Sequence, residues 1–77
     1  VISIRDRMTL VLADSPFASP GRKVSAMHWQ LGYSETVFWS RVNHLIDTPE
    51  AEAAMPAQVR RLKALREARR AARARVA

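Results

Sequence analysis

Seventy-seven residues make one small domain at most, and a chain of this size buries only about 60% of the surface it exposes when unfolded. The lack of cysteine excludes disulfides and thiolate metal sites, and two histidines, His28 and His44, are too few for a usual zinc site. Thirteen basic against seven acidic side chains give a net charge of +6, which calls for an acidic partner, and 48% hydrophobic residues suit a folded domain.

Ile2, Ile4, Met8, Val11 and Leu12 recur at helical spacing, so residues 2–13 read as an amphipathic first helix built on that stripe. Pro16 and Pro20 break the chain after Asp14, and Phe17 is expected to plug the core from this loop. Ser19 followed by Pro20 starts a second helix, to about Leu31, with Val24, Met27, His28 and Leu31 on one face. Gly32 ends it, and Ser34 with Glu35 caps a third helix reaching about Ile46, whose buried stripe is Phe38, Val42 and Leu45. Asp47-Thr48-Pro49-Glu50 repeats the cap-then-proline pattern and predicts a short helix over 49–54. A last helix starts near Pro56, with Met55, Val59, Leu62 and Leu65 as its stripe. From Arg66 on, only Ala, Arg and Glu67 precede Val76, so this end reads as a projecting basic helix with nothing to bury. No stretch sustains a period of two, and the fold class is all-α: a small helical domain over 1–65 and a basic extension over 66–77.

Charge divides the chain in the same way. Residues 1–55 hold five basic and six acidic side chains, whereas residues 56–77 hold eight basic ones and only Glu67. A near-neutral globule therefore carries a cationic end.

Two short helices joined by a tight glycine turn, the second capped by Ser34, are the grammar of a helix-turn-helix over about residues 21–46. The run Leu31-Gly32-Tyr33-Ser34 through Asn43-His44-Leu45-Ile46-Asp47, then Pro49-Glu50-Ala51, Pro56 and Val59-Arg60-Arg61-Leu62, is similar to a group of short actinobacterial and actinophage proteins. They are known mostly as helix-turn-helix domains of unknown function, and the similarity covers roughly residues 24–70. The resemblance implies that fold; departures at Trp29, Val37 and Arg41 mean that it carries over no base contact.

The residues themselves suggest contacts. With Phe38, Val42 and Leu45 inward, the outward face of the third helix is Thr36, Ser40 and Asn43, flanked by Trp39, Val37 and His44. A helix fits the major groove of duplex DNA, where Asn reads adenine and Ser or Thr bond several base edges. Ser19, Arg22, Lys23 and Ser25 at the start of the second helix, and Ser34 at the start of the third, offer phosphate contacts. Arg60, Arg61, Lys63, Arg66, Arg69, Arg70, Arg73 and Arg75 offer the backbone a counterion-releasing surface. Trp39 is expected to pack on the 49–54 helix or a neighbouring subunit, Trp29 to cover the first or last helix, and both histidines to be solvated or hydrogen-bonded.

Gly21 and Gly32 are the only glycines, so a phosphate-cradling loop is excluded, and no nucleophile elbow or metal triad is spaced on one helix. An enzyme, a cofactor, a metal and a small-molecule substrate are not expected. No run approaches the ~20 apolar residues of a membrane span, so no membrane partner is expected and the protein is expected to be cytoplasmic and nucleoid-associated. The expected function is sequence-preferring binding of double-stranded DNA, as a transcriptional regulator or a nucleoid-associated or phage-type regulator. One helix reads only a short site, so a homodimer or cooperative oligomer is expected, with Trp29 and the Met55–Leu65 stripe as candidate surfaces. Two alternatives stand beside it. The last helix docks on an acidic partner in the transcription machinery, or the protein binds RNA.

Overall fold

Helix starts in this chain are set by small oxygen-bearing side chains. In the computed structural model, which describes residues 2–16 and 19–76, Ser3, Ser19, Ser34 and Thr48 each accept a hydrogen bond from the backbone N–H three residues on, at 3.0–3.3 Å. These caps satisfy N–H groups that have no partner within a helix. The helices they open are α1 (Ile4–Asp14), α2 (Pro20–Ala26), α3 (Glu35–Leu45) and α4 (Pro49–Ala54). A fifth, α5, runs from Pro56 to Val76. Among the described residues there is no strand, and the fold is all-α.

The expected second helix has two parts. Beyond Ala26, α2 widens into a π-helical turn over Met27–Leu31, where hydrogen bonds reach five residues instead of four. Met27 and Leu31 are thereby both buried, while His28, Trp29 and Gln30 face outward. His28 therefore leaves the face on which simple helical spacing placed it. Gly32 closes the turn at φ 72°, donating to the His28 carbonyl, and Tyr33 donates to that of Met27. A left-handed backbone at this point requires glycine rather than any L side chain.

Carbonyls at helix ends also need partners. The Arg5 guanidinium, stacked 4.6 Å over the Tyr33 ring, donates to the Leu31 carbonyl at the end of the π turn. In return, the Lys23 ammonium donates to the carbonyls of Ala13 (2.8 Å) and Ser15 (3.2 Å) at the end of α1. Helix α1 and the α2–π segment thus close each other's C-termini.

The core gathers Leu10, Leu12 and Ala13 of α1, Met27 and Leu31, and Phe38, Val42 and Leu45 of α3. Ile46, Ala51 and Met55, with Val59 and Leu62 of α5, complete it. Here α1 departs from the sequence reading. Of the expected stripe, Leu12 is buried and Ile2 packs on the core, but Ile4, Met8 and Val11 lie on the outside, Ile4 79% exposed, and Thr9, Leu10 and Ala13 are buried instead. Both faces of α1 carry apolar residues, so hydropathy alone leaves its rotation open. Polar partners accompany the observed choice: with Leu10 inward, Arg5 reaches Leu31, and Asp6 and Asp14 reach their arginines. Thr9, fully buried, satisfies its hydroxyl by donating to the Arg5 carbonyl at 2.8 Å. Phe17 lies outside the described residues.

Three Arg–Asp pairs tie the elements. Arg41 of α3 grips Asp6 of α1, Arg61 of α5 grips Asp14 of α1, and Arg66 of α5 grips Asp47 after α3, each through two guanidinium nitrogens. The fork geometry matches a carboxylate bidentately. Such pairs near the surface contribute about 0–1 kcal/mol each, so they orient the helices more than they stabilise them.

Two predictions follow from this arrangement. Leu10→Ala is expected to lower unfolding free energy in urea by about 2–5 kcal/mol, and Ile4→Ala to change it by no more than about 0.5 kcal/mol; the reverse ranking would restore the opposite rotation of α1. The hydrogen bonds from Arg61 and Arg66 hold the Asp14 and Asp47 carboxyls below their ordinary value of 3.8. Carboxylates depressed in the folded state contribute stability that is present above that value and lost as pH falls through the folded one. Acid unfolding followed by circular dichroism is therefore expected to steepen below pH 3.8, and the double variant Asp14→Asn, Asp47→Asn to show a shallower acid limb.

Candidate nucleic-acid interface

Phe38, Val42 and Leu45 anchor α3 in the core, and this fixes what its other face presents. Thr36, Val37, Ser40, Asn43 and His44 are all exposed. Thr36, Val37, Ser40 and His44 line one shallow depression with Arg41. Asn43 sits on the flank of the same edge and looks toward α5. Arg41 is tied to α1, its Nε (3.1 Å) and Nη2 (2.8 Å) donating to Asp6, while its side chain stays 41% exposed. The edge itself is uncharged apart from Glu35 in the first turn. Ser34 is exposed, with its hydroxyl accepting from the Val37 N–H.

Across from α3 runs the second half of α5, leaving a groove of about 180 Å³ with Val42, Ile46 and Leu62 along its floor. Its α5 wall is Arg66, Arg69, Arg70 and Arg73. Their spacing of three, four and seven residues continues the buried Val59–Leu62 stripe, so these four arginines share one side of the helix. Against the expectation that residues 66–77 have nothing to bury, their first turn is partly covered. The Arg66 side chain is only 20% exposed and is bonded to Asp47. The Arg69 guanidinium lies 5.4 Å from the centre of the Trp39 ring. Arg70 pairs with Glu67 at 3.2 Å, and Arg73 and Arg75 are exposed.

The other basic residues of α5 point elsewhere. Arg61 is held by Asp14, and Arg60 and Lys63 border a depression beside Glu52 and Pro56, on the α4 side. At the start of α2, Ser19, Arg22 and Ser25 are exposed. Lys23 is half-buried and directed at the end of α1 rather than outward. Burial, assisted by the positive charge of Arg69 and opposed by Asp14, pushes its pKa down.

Trp39 packs edge-on against Phe38 at 5.1 Å and lies 5.4 Å from the Lys23 ammonium, so it faces α2 and α5 instead of α4. Trp29 is 82% exposed and covers neither α1 nor α5; its ring meets only that of His28, edge-on at 5.3 Å, among the described ring contacts. Met55, Val59 and Leu62 are buried within the chain, so of the surfaces expected for dimerisation only Trp29 and the half-exposed Leu65 are open. The exposed Ile4–Met8–Val11 stripe was hidden from sequence reasoning by its own helical spacing.

Among the described residues, no group of His, Asp and Glu side chains could hold a metal ion, and no helix is long and apolar enough to cross a membrane. No curated protein and no solved structure matches the chain. A family model described as "Protein of unknown function (DUF3263)" matches residues 1–74, and the chain belongs to that family.

Proposed function

We propose that this protein is a sequence-preferring binder of double-stranded DNA, with α3 entering the major groove and the arginines of α5 holding the backbone alongside. The observation that carries the reading is the juxtaposition of an exposed, hydrogen-bonding edge on α3 with an arginine-lined wall on α5, the two meeting at Asn43. Hydrogen bonds to base edges supply sequence preference, and phosphate contacts supply affinity and register. Thr36, Ser40 and Asn43 are the base-facing set, with His44 beside them. Arg69, Arg70 and Arg73 are the backbone set, with Arg75 beyond. Regulation of transcription or nucleoid architecture is the outcome that such binding serves, and two copies on adjacent half-sites give one short helix a longer site.

A second reading has its own support. Val42, Ile46 and Leu62 floor the groove that the arginines wall, and an acidic amphipathic segment of a partner protein matches that pattern of apolar floor and cationic rim. Duplex DNA separates the two. Mobility shifts are expected at ~50 mM salt, with log K falling against log salt by about 0.9 for each phosphate neutralised. No shift under those conditions leaves the partner-protein reading in place.

Asn43→Ala is expected to weaken binding to a selected site by about 1–3 kcal/mol and to leave non-specific binding nearly unchanged; an equal loss on both would remove Asn43 from the base-reading set. Ending the chain at Arg70 is expected to keep the helical signal and to flatten the salt slope by roughly two contacts, those of Arg73 and Arg75. Ending it at Leu65 removes the Arg66–Asp47 and Arg69–Trp39 contacts, and is expected to lower the unfolding midpoint as well.

A further inference from the structure

Trp39 stands where α2, α3 and α5 converge, and the crevice around it is electrostatically unbalanced. Two cations, the Lys23 ammonium and the Arg69 guanidinium, each lie 5.4 Å from the centre of the one indole ring. Arg73 lines the same crevice one turn further along α5, and Asn43 lines it from α3. Among the described residues the acid lining it is Glu35, which faces both Arg69 and Arg73, while Lys23 is engaged with the end of α1 and feels Asp14. The carboxylates of Asp6, Asp14, Asp47 and Glu67 are engaged by Arg41, Arg61, Arg66 and Arg70. Among the described residues, neither Arg69 nor Arg73 has an ion-pair partner. Burial first, and then the positive charge of Arg69, push the Lys23 pKa down, with Asp14 opposing.

We infer that this crevice is a seat for one backbone phosphodiester of bound duplex DNA, with Arg69 and Arg73 as its ligands and the Asn43 amide at its rim. The inference deepens the DNA-binding reading and rests on it. A singly charged diester offsets the one-charge excess of Arg69 and Arg73 over Glu35. Arg69 is already held against the ring, so it loses less conformational freedom on binding than a solvated arginine does, and its planar fork fits two phosphate oxygens. Lys23 remains on the carbonyls of α1 and contributes charge rather than reach. Asn43 is about 20° around α3 from Thr36 at 100° per residue, which places the seat against the base-facing edge. A phosphate fixed there sets the depth and register at which that edge meets the bases.

The test uses the full chain carrying Trp29→Phe, an exposed position, so that Trp39 is the remaining indole. Titration with a duplex of about 20 base pairs at ~50 mM salt is expected to change Trp39 emission saturably. Arg69→Gln and Arg73→Gln, tested singly, are each expected to diminish that change and to reduce the salt slope, the double variant by about 0.9. Arg7→Gln, an exposed arginine of α1, is expected to leave both readouts as they were. Arg73 is exposed and belongs to no ion pair among the described residues, so its substitution tests the seat even if Arg69→Gln disturbs packing. Duplex binding with silent Trp39 and unchanged slopes in both variants overturns the seat and leaves the DNA-binding reading standing. Absence of duplex binding overturns both. Saturation of the Trp39 signal by inorganic phosphate, at the concentration at which the duplex supplies phosphate groups, assigns the seat to a free anion and overturns its role on DNA.

Discussion

A helix ends in carbonyls that nothing within it can satisfy, and in this protein two neighbouring segments solve the problem for each other. Arg5 reaches from α1 to the last turn before Gly32, and Lys23 reaches from α2 to the last turn of α1. The exchange fixes the rotation of α1 about its axis and clamps the start of the two-helix unit against it. Everything downstream inherits that setting. With α1 turned so, Asp6 meets Arg41 and Asp14 meets Arg61, and these pairs align α3 and α5 on either side of Phe38, which is fully buried.

The distribution of acids then determines which cations remain. Four carboxylates are engaged with arginines that tie or flank structural elements, and Glu50 and Glu52 lie out on α4, away from the edge of α3. Of the cations without a carboxylate partner among the described residues, Arg69 and Arg73 stand together on one side of α5, next to the exposed edge of α3, while Arg7, Arg22, Arg60 and Lys63 are spread over other faces. Net charge thus understates the asymmetry. A chain with thirteen basic side chains has used several as internal fasteners and has gathered others in one place.

Much of this was legible in the sequence. Ser19, Ser34 and Thr48 start helices because a short side chain followed by proline or glutamate leaves little alternative, and Gly32 stops one because the backbone there is left-handed. The inward stripe of α3 and the edge opposite it were equally readable, since Phe38, Val42 and Leu45 are the only large apolar set at helical spacing. Three things were not. The rotation of α1 goes with contacts that include pairs 26–47 residues apart in sequence, which no local window contains. The π turn moves His28 outward because it breaks the period that the reading assumed. The arginines after Leu65 have the composition of a solvated tail, yet Arg66, Arg69 and Arg73 carry on the heptad-like spacing of the buried residues before them.

The π turn also governs how α2 and α3 are aimed at one another. A π turn closes its hydrogen-bonded ring with one residue more than an α-helix does, and each residue of helix advances the chain by about 100°. The segment from Met27 to Leu31 is therefore an angular spacer. Shortened by one residue to a regular helix, the same sequence would bring its glycine out of the cylinder a quarter-turn or more away from its present bearing. Within such a scaffold, altering one step of backbone phase swings the whole of α3 without touching any side chain on it.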